Sequence, residues 1–248
     1  MISLIILSTV LSTSTGFEKP IQILSEESYT LNYTHTDGQL KGYAAELIRA
    51  VMDDTGLDYQ VTVKPWTRTF QETIATKDTL IYSIARTAER EEQFIWIGKI
   101  ITLKNFVYGL STSDDSKKIS VDELKQHYIA VAKDSVNHHY LKRNNFKKIV
   151  YISSYAHAFT LLKRGRVKYF TSSTMGVMQY LKKNNLNAKM IEPIMPIHNY
   201  NPTLYFAANI QTEPSIIKKV KGSFNRIIEN GTYHKIMKPL LIENTEVN

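Results

Sequence analysis

Residues 129–183 read IAVAKDSVNHHYLKRNNFKKIVYISSYAHAFTLLKRGRVKYFTSSTMGVMQYLKK. Three apolar runs stand out: Ile129–Ala132, Ile149–Ile152 and Val167–Phe170. Each has the length of a buried strand. Each is followed by a helical stretch: Val136–Arg143, then a helix that Ser153 or Ser154 can cap, then Thr174–Lys183. The middle helix carries Ala158, Leu161 and Leu162 on its apolar face and ends at Gly165. Strand and helix alternating in this way predict an α/β fold with largely parallel sheets, because parallel neighbours need a crossover between them.

The same alternation appears upstream. Ile21–Leu24 reads as a strand, and Tyr43–Asp54 as a helix with Tyr43, Leu47 and Val51 in register and Ala44, Ile48 and Met52 beside them. Thr55-Gly56 ends that helix, glycine being the usual residue where the chain turns left-handed. Tyr59–Val63 alternates as a half-buried strand closed by Pro65; Thr69–Thr76 reads as a helix and Leu80–Ile84 as a second buried strand. Ser120-Val121-Asp122-Glu123 has the form of a capping box. After residue 200 come a strand at Leu204–Ala208 and a helix, capped by Thr212, that carries Ile216, Ile217, Val220, Phe224, Ile227 and Ile228 up to Gly231. Two blocks of this kind, joined by more than one crossing, predict two lobes. Ligands of open α/β sheets sit beyond the carboxyl ends of strands. The candidate segments are therefore Glu26 to Tyr29, Trp66, Ser83 to Arg90, Asp134 to Val136 and Thr171 to Thr174.

Composition narrows the classes. The 248 residues contain no cysteine, which removes disulfides, Cys-ligated metals and a cysteine nucleophile together. Ile2 to Leu11 is a short apolar run followed by Ser12-Thr13-Ser14-Thr15-Gly16, the pattern of a secretory signal peptide over residues 1–16. No later stretch approaches the ~20 apolar residues of a membrane span. The net charge is +8, and from Ser135 to Ile191 there are eleven Lys or Arg and no Asp or Glu. Such a run reads first as a solvated basic face, and a field of that sign also attracts anions or an anionic membrane surface. No nucleic-acid-binding motif is present, and neither is a nucleophile elbow, a phosphate loop or a His-Glu-x-x-His zinc motif. His138 and His139 point about 100° apart on a helix and share one metal ion poorly.

Four stretches together resemble the bacterial extracellular solute-binding proteins of the amino-acid-binding type, family 3, the receptors of ABC importers. They are Glu26-Glu27-Ser28-Tyr29 with Asp37 to Tyr43 and Glu46-Leu47; Trp66; Thr87-Ala88-Glu89-Arg90 with Phe94; and Asn225 through Gly231-Thr232-Tyr233 and Ile236. The resemblance implies a two-lobed periplasmic binding protein type II fold, with two mostly parallel sheets joined by a two-stranded hinge. It implies lobes at residues 17–103 plus 201–248 and at 104–200, with crossings near Ile101–Val107 and Ile197–Pro202. It implies that Arg90 grips a ligand carboxylate, that Ser83 adds a hydroxyl, that Tyr29 and Trp66 wall the ligand and that Glu26 meets a cationic group. Arg86 is either a second anion contact or an ion-pair partner of Glu89 or Glu91. In the second lobe Ser135 keeps a hydroxyl beside Asp134, and Ser173 falls where the family has an acidic partner for the ligand's α-ammonium. That departure leaves an organic acid, a modified amino acid, or an amine received by Glu26 as readings of the ligand.

The resemblance implies a periplasmic, monomeric receptor for a small carboxylate-bearing ligand, with an ABC permease or a membrane sensor as partner and without cofactor, metal or nucleic acid. The alternatives are a sensor module, or an enzyme like the cyclohexadienyl dehydratases of the same fold, for which Glu26 is the candidate acid.

Overall fold

The computed structural model describes residues 19–28, 30–111, 119–197 and 202–246. The signal-peptide reading and Tyr29 lie outside the described residues. The first sheet uses β1 (Ile21–Ser25), β4 (Tyr59–Val63), β5 (Thr79–Ala85), β6 (Phe94–Thr102) and β12 (Thr203–Asn209), in the order β4-β1-β5-β12-β6. The second uses β7 (Asn105–Leu110), β8 (Ile129–Ala132), β9 (Ile149–Ile152), β10 (Tyr169–Ser173) and β11 (Ile191–Pro196), in the order β11-β7-β10-β8-β9. A short hairpin, β2 (Tyr33–Thr34) with β3 (Leu40–Lys41), precedes the first helix.

The two sheets repeat one plan. In the first, β1 runs parallel to β4 and β5, while β12 is antiparallel to β5 and β6. In the second, β8 runs parallel to β9 and β10, while β7 is antiparallel to β10 and β11. All strands of each sheet but one therefore share a direction. The reversed strand, β12 or β7, is the one on which the chain arrives from the other sheet. The crossings lie side by side: Leu103 N–H donates to Pro202 O at 2.9 Å, and Ile197 N–H to Asn105 O at 2.9 Å.

Helices α1 (Tyr43–Thr55), α2 (Trp66–Ala75), α7 (Pro214–Glu229) and α8 (Thr232–Glu246) belong to the first sheet. Helix α1 buries Ala44, Ala45, Leu47, Ile48, Val51 and Met52, the stripe that its sequence period predicts. It starts at Gly42 with φ +118°, where a Cβ would lie 2.5 Å from Leu31 O, so a side chain is excluded on both counts. Its far end is tied to α7, where Ser223 Oγ donates to Val51 O at 2.6 Å. Every residue of β5 is buried, as the continuous apolar run Thr79–Ala85 requires at the centre of a sheet. The second sheet carries α3 (Val121–Leu124), α4 (Val136–Arg143), α5 (Tyr155–Lys163) and α6 (Thr174–Lys183), with apolar clusters on both faces.

Five elements differ most from the sequence reading. Helix α2 begins at Trp66 rather than Thr69, because Pro65 has no N–H to leave unpaired and its carbonyl accepts from Thr69 N–H at 3.0 Å. Strand β10 starts at Tyr169 and runs on to Ser173, where Thr171, Ser172 and Ser173 pair with Val107, Phe106 and Asn105. Thr212 does not cap α7: Pro214 opens that helix, Glu213 holds the cap position, and Asp78 Oδ1 accepts from Glu213 N–H at 2.8 Å. Strands β6 and β7 have no counterpart in the periodicity, and their facing ends overlap the crossing that the resemblance implies near Ile101–Val107.

Candidate functional site

A cavity of about 540 Å³ lies between the two sheets, at the carboxyl ends of their parallel strands. The segment after β1 supplies Glu26 and that after β4 supplies Trp66; strand β5 and the turn after it supply Ser83 and Arg90. Across the cavity, the segments after β8 and β9 supply Ser135 and Ser154, and the end of β10 supplies Ser173. Six of the sequence-predicted residues thus meet in one place: Arg90, Ser83, Glu26, Trp66, Ser135 and Ser173.

Arg90 ends a single 3-10 turn, Ala88–Arg90, and is 3% exposed. Its Nη1 donates to Ala85 O at 3.0 Å, and its Nη2 donates across the cavity to Asp134 O at 2.9 Å. The guanidinium carbon lies 4.9 Å from the Trp66 ring centroid and 5.1 Å from that of Phe70. Rings at that range attract a cation. Trp66 thereby serves both as core and as cavity wall, and its indole N–H has no partner among the described residues.

Ser83 sits in the left-handed region, φ +60°, in the middle of β5. The register against β12 slips at that point, between Tyr205 and Phe206. Strain of this kind persists only where the surroundings hold it, and here they do so through Asn32. The Asn32 side chain is fully buried; its amide donates to Ser25 Oγ at 3.0 Å and to the Glu26 carbonyl, and its oxygen accepts from Ser83 Oγ at 3.1 Å. This network fixes Glu26 and Ser83 at the cavity edge. Burial pushes the Glu26 carboxyl up to about 7, against the pull of the Arg90 guanidinium. Near neutrality such a group changes charge readily and can either donate or accept.

In the second half the hydroxyls are helix caps. Ser135 Oγ accepts from His138 N–H at 3.2 Å, Ser154 Oγ from His157 N–H at 3.2 Å and Ser173 Oγ from Gly176 N–H at 3.1 Å. Asp134 holds φ +58°, and its N–H donates to His138 Nδ1 at 3.0 Å. With Nδ1 accepting, the imidazole proton sits on Nε2, 3.1 Å from Tyr151 Oη. His138 is therefore a positioning residue for the Asp134–Ser135 turn, and burial keeps its pKa below the usual imidazole value. The Asp134 carboxylate lies 3.7 Å from the same ring and is not part of the cavity lining.

Arg86 is not brought into the cavity. It forms a forked pair with Glu91, Nε to Oε2 at 2.9 Å, and its guanidinium packs on the Trp96 and Tyr205 rings at 5.3 and 5.6 Å. Of the two readings open for it, the Glu91 pair is the one observed. Asn32, His138 and Ser154 were missed. Asn32 carries no local signal, since the buried hydroxyls of Ser25 and Ser83 reach it only in the fold, whereas His138 accepts from the Asp134 N–H only four residues back; Ser154 is one of two equivalent caps in the sequence. Among the described residues no His, Asp and Glu cluster could hold a metal ion, and no helix is long and apolar enough to cross a membrane.

Residues 21–241 match the family described as bacterial extracellular solute-binding proteins, family 3. The chain belongs to this family. Among curated proteins none matches the sequence of this solute-binding protein. Solved structures do match its fold. A histidine kinase sensor domain with similarity to periplasmic binding proteins has TM-score 0.77 and 18% identity, covering 89% of this chain and 95% of its own. The arginine-, lysine-, histidine-binding protein ArtJ from Geobacillus stearothermophilus has TM-score 0.76 and 19% identity, covering 89% and 94%. The amino acid ABC transporter substrate-binding protein AbpA from Streptococcus pneumoniae, bound to L-arginine, has TM-score 0.74 and 18% identity, covering 89% and 93%. At these identities the likeness is one of fold. Its fold matches that of periplasmic binding proteins, and the family it belongs to is one of extracellular solute-binding proteins.

Proposed function

We propose that this chain is a periplasmic receptor whose two lobes, residues 17–103 with 201–248 and residues 104–200, close on a small carboxylate-bearing ligand and deliver it to an ABC-type permease. The observation that carries the reading is Arg90: a permanently charged, buried guanidinium in the wall of an interlobe cavity, packed against two rings. A planar fork of donors matches a carboxylate, and hydrogen bonds to a charged partner contribute about 1.5–3 kcal/mol each. Its bond to the Asp134 carbonyl joins the lobes at the point where a carboxylate would compete for the same donors. Ser83 and Ser135 would add polar contacts, Trp66 apolar area and Glu26 a contact to a ligand donor. Closure would turn on the paired crossings at Leu103 and Pro202.

A thermal-shift screen of amino acids, their derivatives and organic acids tests this. A ligand at about 100 times its Kd stabilises by about 2.7 kcal/mol. Arg90→Ala should abolish the shift for any carboxylate hit, and a shift that survives unchanged would sink the assignment. A second reading, presentation of the ligand to a membrane sensor, is favoured by the fold likeness to a histidine kinase sensor domain. A pull-down of inner-membrane proteins by the liganded chain separates the two: a permease supports transport, a sensor kinase supports signalling.

A further inference from the structure

The second sheet gathers its charge at one end. Strands β8, β9 and β10 run parallel and start in one row, with Ile129 paired to both Ile149 and Tyr169. Strand β11 shares their direction, since it and β10 are both antiparallel to β7. Helices α4, α5 and α6 therefore carry the chain back from the carboxyl end, where the cavity lies, to the amino end. Their last turns hold Lys142, Arg143, Lys163, Lys182 and Lys183. The turns leading into the next strands hold Lys147, Lys148, Arg164, Arg166, Lys168 and Lys189. All eleven cations of the acid-free run are exposed. Arg143 reaches to Glu89 of the first half, and the topology sets the rest at the end remote from the cavity. Strands of four or five residues separate the two ends by about 13–17 Å. The helix dipole favours cations in or just after a last turn, but Lys147, Lys148, Arg166 and Lys168 belong to the approach to strands. Lys168 N–H donates to Tyr128 O at 3.1 Å and Ile129 N–H to Lys148 O at 2.9 Å, so Lys148, Tyr128 and Lys168 stand side by side. A shallow groove beside them is lined by Tyr128, Val150, Leu161, Arg164, Gly165 and Arg166. Among the described residues, no carboxylate lies within ion-pair distance of Lys147, Lys148, Arg164, Arg166 or Lys168. The acids described at this end are Asp122, Glu123 and Glu192, and Lys125 holds Asp122.

We propose that this end of the second sheet docks on an anionic phospholipid surface, with Tyr128 at the level of the headgroups. Charge complementarity carries the assignment, and the kind of cation selects the partner. Interfaces with folded proteins favour Arg and are depleted in Lys, whereas eight of these eleven cations are Lys. Lysine chains are long, flexible and strongly hydrated, and they suit laterally mobile headgroups that demand no fixed geometry. Arg164 and Arg166, in the lining of the groove, offer planar forks to a phosphate. Tyr128 is 54% exposed and brings the amphipathic ring that settles at a bilayer–water boundary. A bilayer at this end leaves the cavity uncovered, so docking and ligand capture can coexist. The inference adds a surface to the receptor and does not depend on what the cavity binds.

The test is co-sedimentation of the chain with vesicles of phosphatidylglycerol and phosphatidylcholine in equal parts, against vesicles of phosphatidylcholine alone, at about 50 mM and about 500 mM salt. The chain should bind the anionic vesicles at low salt, bind them at least about tenfold less at high salt, and leave the neutral vesicles alone. Lys147→Glu, Arg164→Glu and Arg166→Glu combined should weaken binding by about tenfold or more. Lys218→Glu, Lys219→Glu and Lys235→Glu combined make an equal change of charge on exposed positions of α7 and α8, and should weaken it by less than about twofold. Should the first triple variant fail to fold, Arg164→Gln with Arg166→Gln decides, with an expected loss of about threefold. No binding to anionic vesicles, an equal loss in both triple variants, or equally tight binding to poly-L-glutamate would overturn the inference. The last two outcomes would make net charge, or an acidic protein surface, the determinant instead. None of these outcomes touches Arg90, which the ligand screen tests separately.

Discussion

The two walls of the cavity are built by opposite means. The first sheet contributes packed side chains: the Arg90 guanidinium against Trp66 and Phe70, and a strained Ser83 and a desolvated Glu26 that fully buried Asn32 braces. The second contributes backbone, the starts of α4, α5 and α6 with their serine caps. A socket made of packed side chains is specific because each neighbour constrains the next. A socket made of helix ends is permissive, since any residue with a cap hydroxyl rebuilds it. The comparison teaches where substitutions should hurt: single changes in the first wall should be severe, and single changes in the second mild for the fold but selective for ligand.

The comparison can be broken by a graded series. The largest effect should come from Arg90→Ala, with ligand affinity reduced about a hundredfold or more, since it removes at least two charge-assisted bonds. Arg90→Lys should recover only part of that, because an ammonium lacks the planar fork; titration of any carboxylate hit reads both. Next is Asn32→Ala. It leaves Ser25 and Ser83 hydroxyls without their buried partner and should destabilise by about 2–3 kcal/mol in denaturant melts. A smaller loss than that of a surface substitution would show that the bracing network is not needed.

Third is Glu26→Gln. The Glu26 carboxyl is raised from 4.5 to about 7, so between those values the folded state binds more protons than the unfolded one. Stability therefore falls as pH rises through that window, and the cost is complete above about pH 7. Glutamine removes it, so the variant should be more stable than the parent by about 1–2 kcal/mol above pH 7 and level with it near pH 4; paired melts at the two pH values decide. Fourth, Ser135→Ala should cost about 1 kcal/mol of stability through the lost cap of α4. The smallest effect belongs to Glu89→Gln. Glu89 pairs with Arg143 of the second half at 2.7 Å, but both side chains are about half exposed, so the loss should stay below about 1 kcal/mol and vanish in high salt.

Much of this molecule is legible in its sequence, and the limits have physical causes. Strands Tyr59–Val63, Ile129–Ala132 and Ile149–Ile152 and helices Val136–Arg143 and Thr174–Lys183 have the bounds that their periodicity predicts. Each is short, amphipathic or apolar, and bounded by a cap or a turn, so local signals suffice. Strand Phe94–Thr102 does not alternate cleanly, and its partner β12 is about a hundred residues away. That pairing joins residues on either side of the whole second sheet, so no local pattern signals it. Thr212 shows a different failure: a good cap residue lost its role because Pro214, two residues on, sets the backbone for the first helical turn.

The pair Arg86 and Arg90 shows most sharply what each level decides. The sequence alone determined that two cations follow a buried strand, that hydroxyls and Trp66 follow other strand ends, and that these ends share one side of their sheets. Those conclusions rest on short-range periodicity and on the handedness of parallel crossovers, which need no knowledge of distant residues. Only the tertiary structure decided that Arg90 turns inward under Trp66 and Phe70 while Arg86 pairs outward with Glu91. It also decided that Asn32 braces Ser83 and that three separate helix starts converge on one cavity. Such choices are set by which side chains pack together across the fold, and no local pattern along the chain encodes that contact.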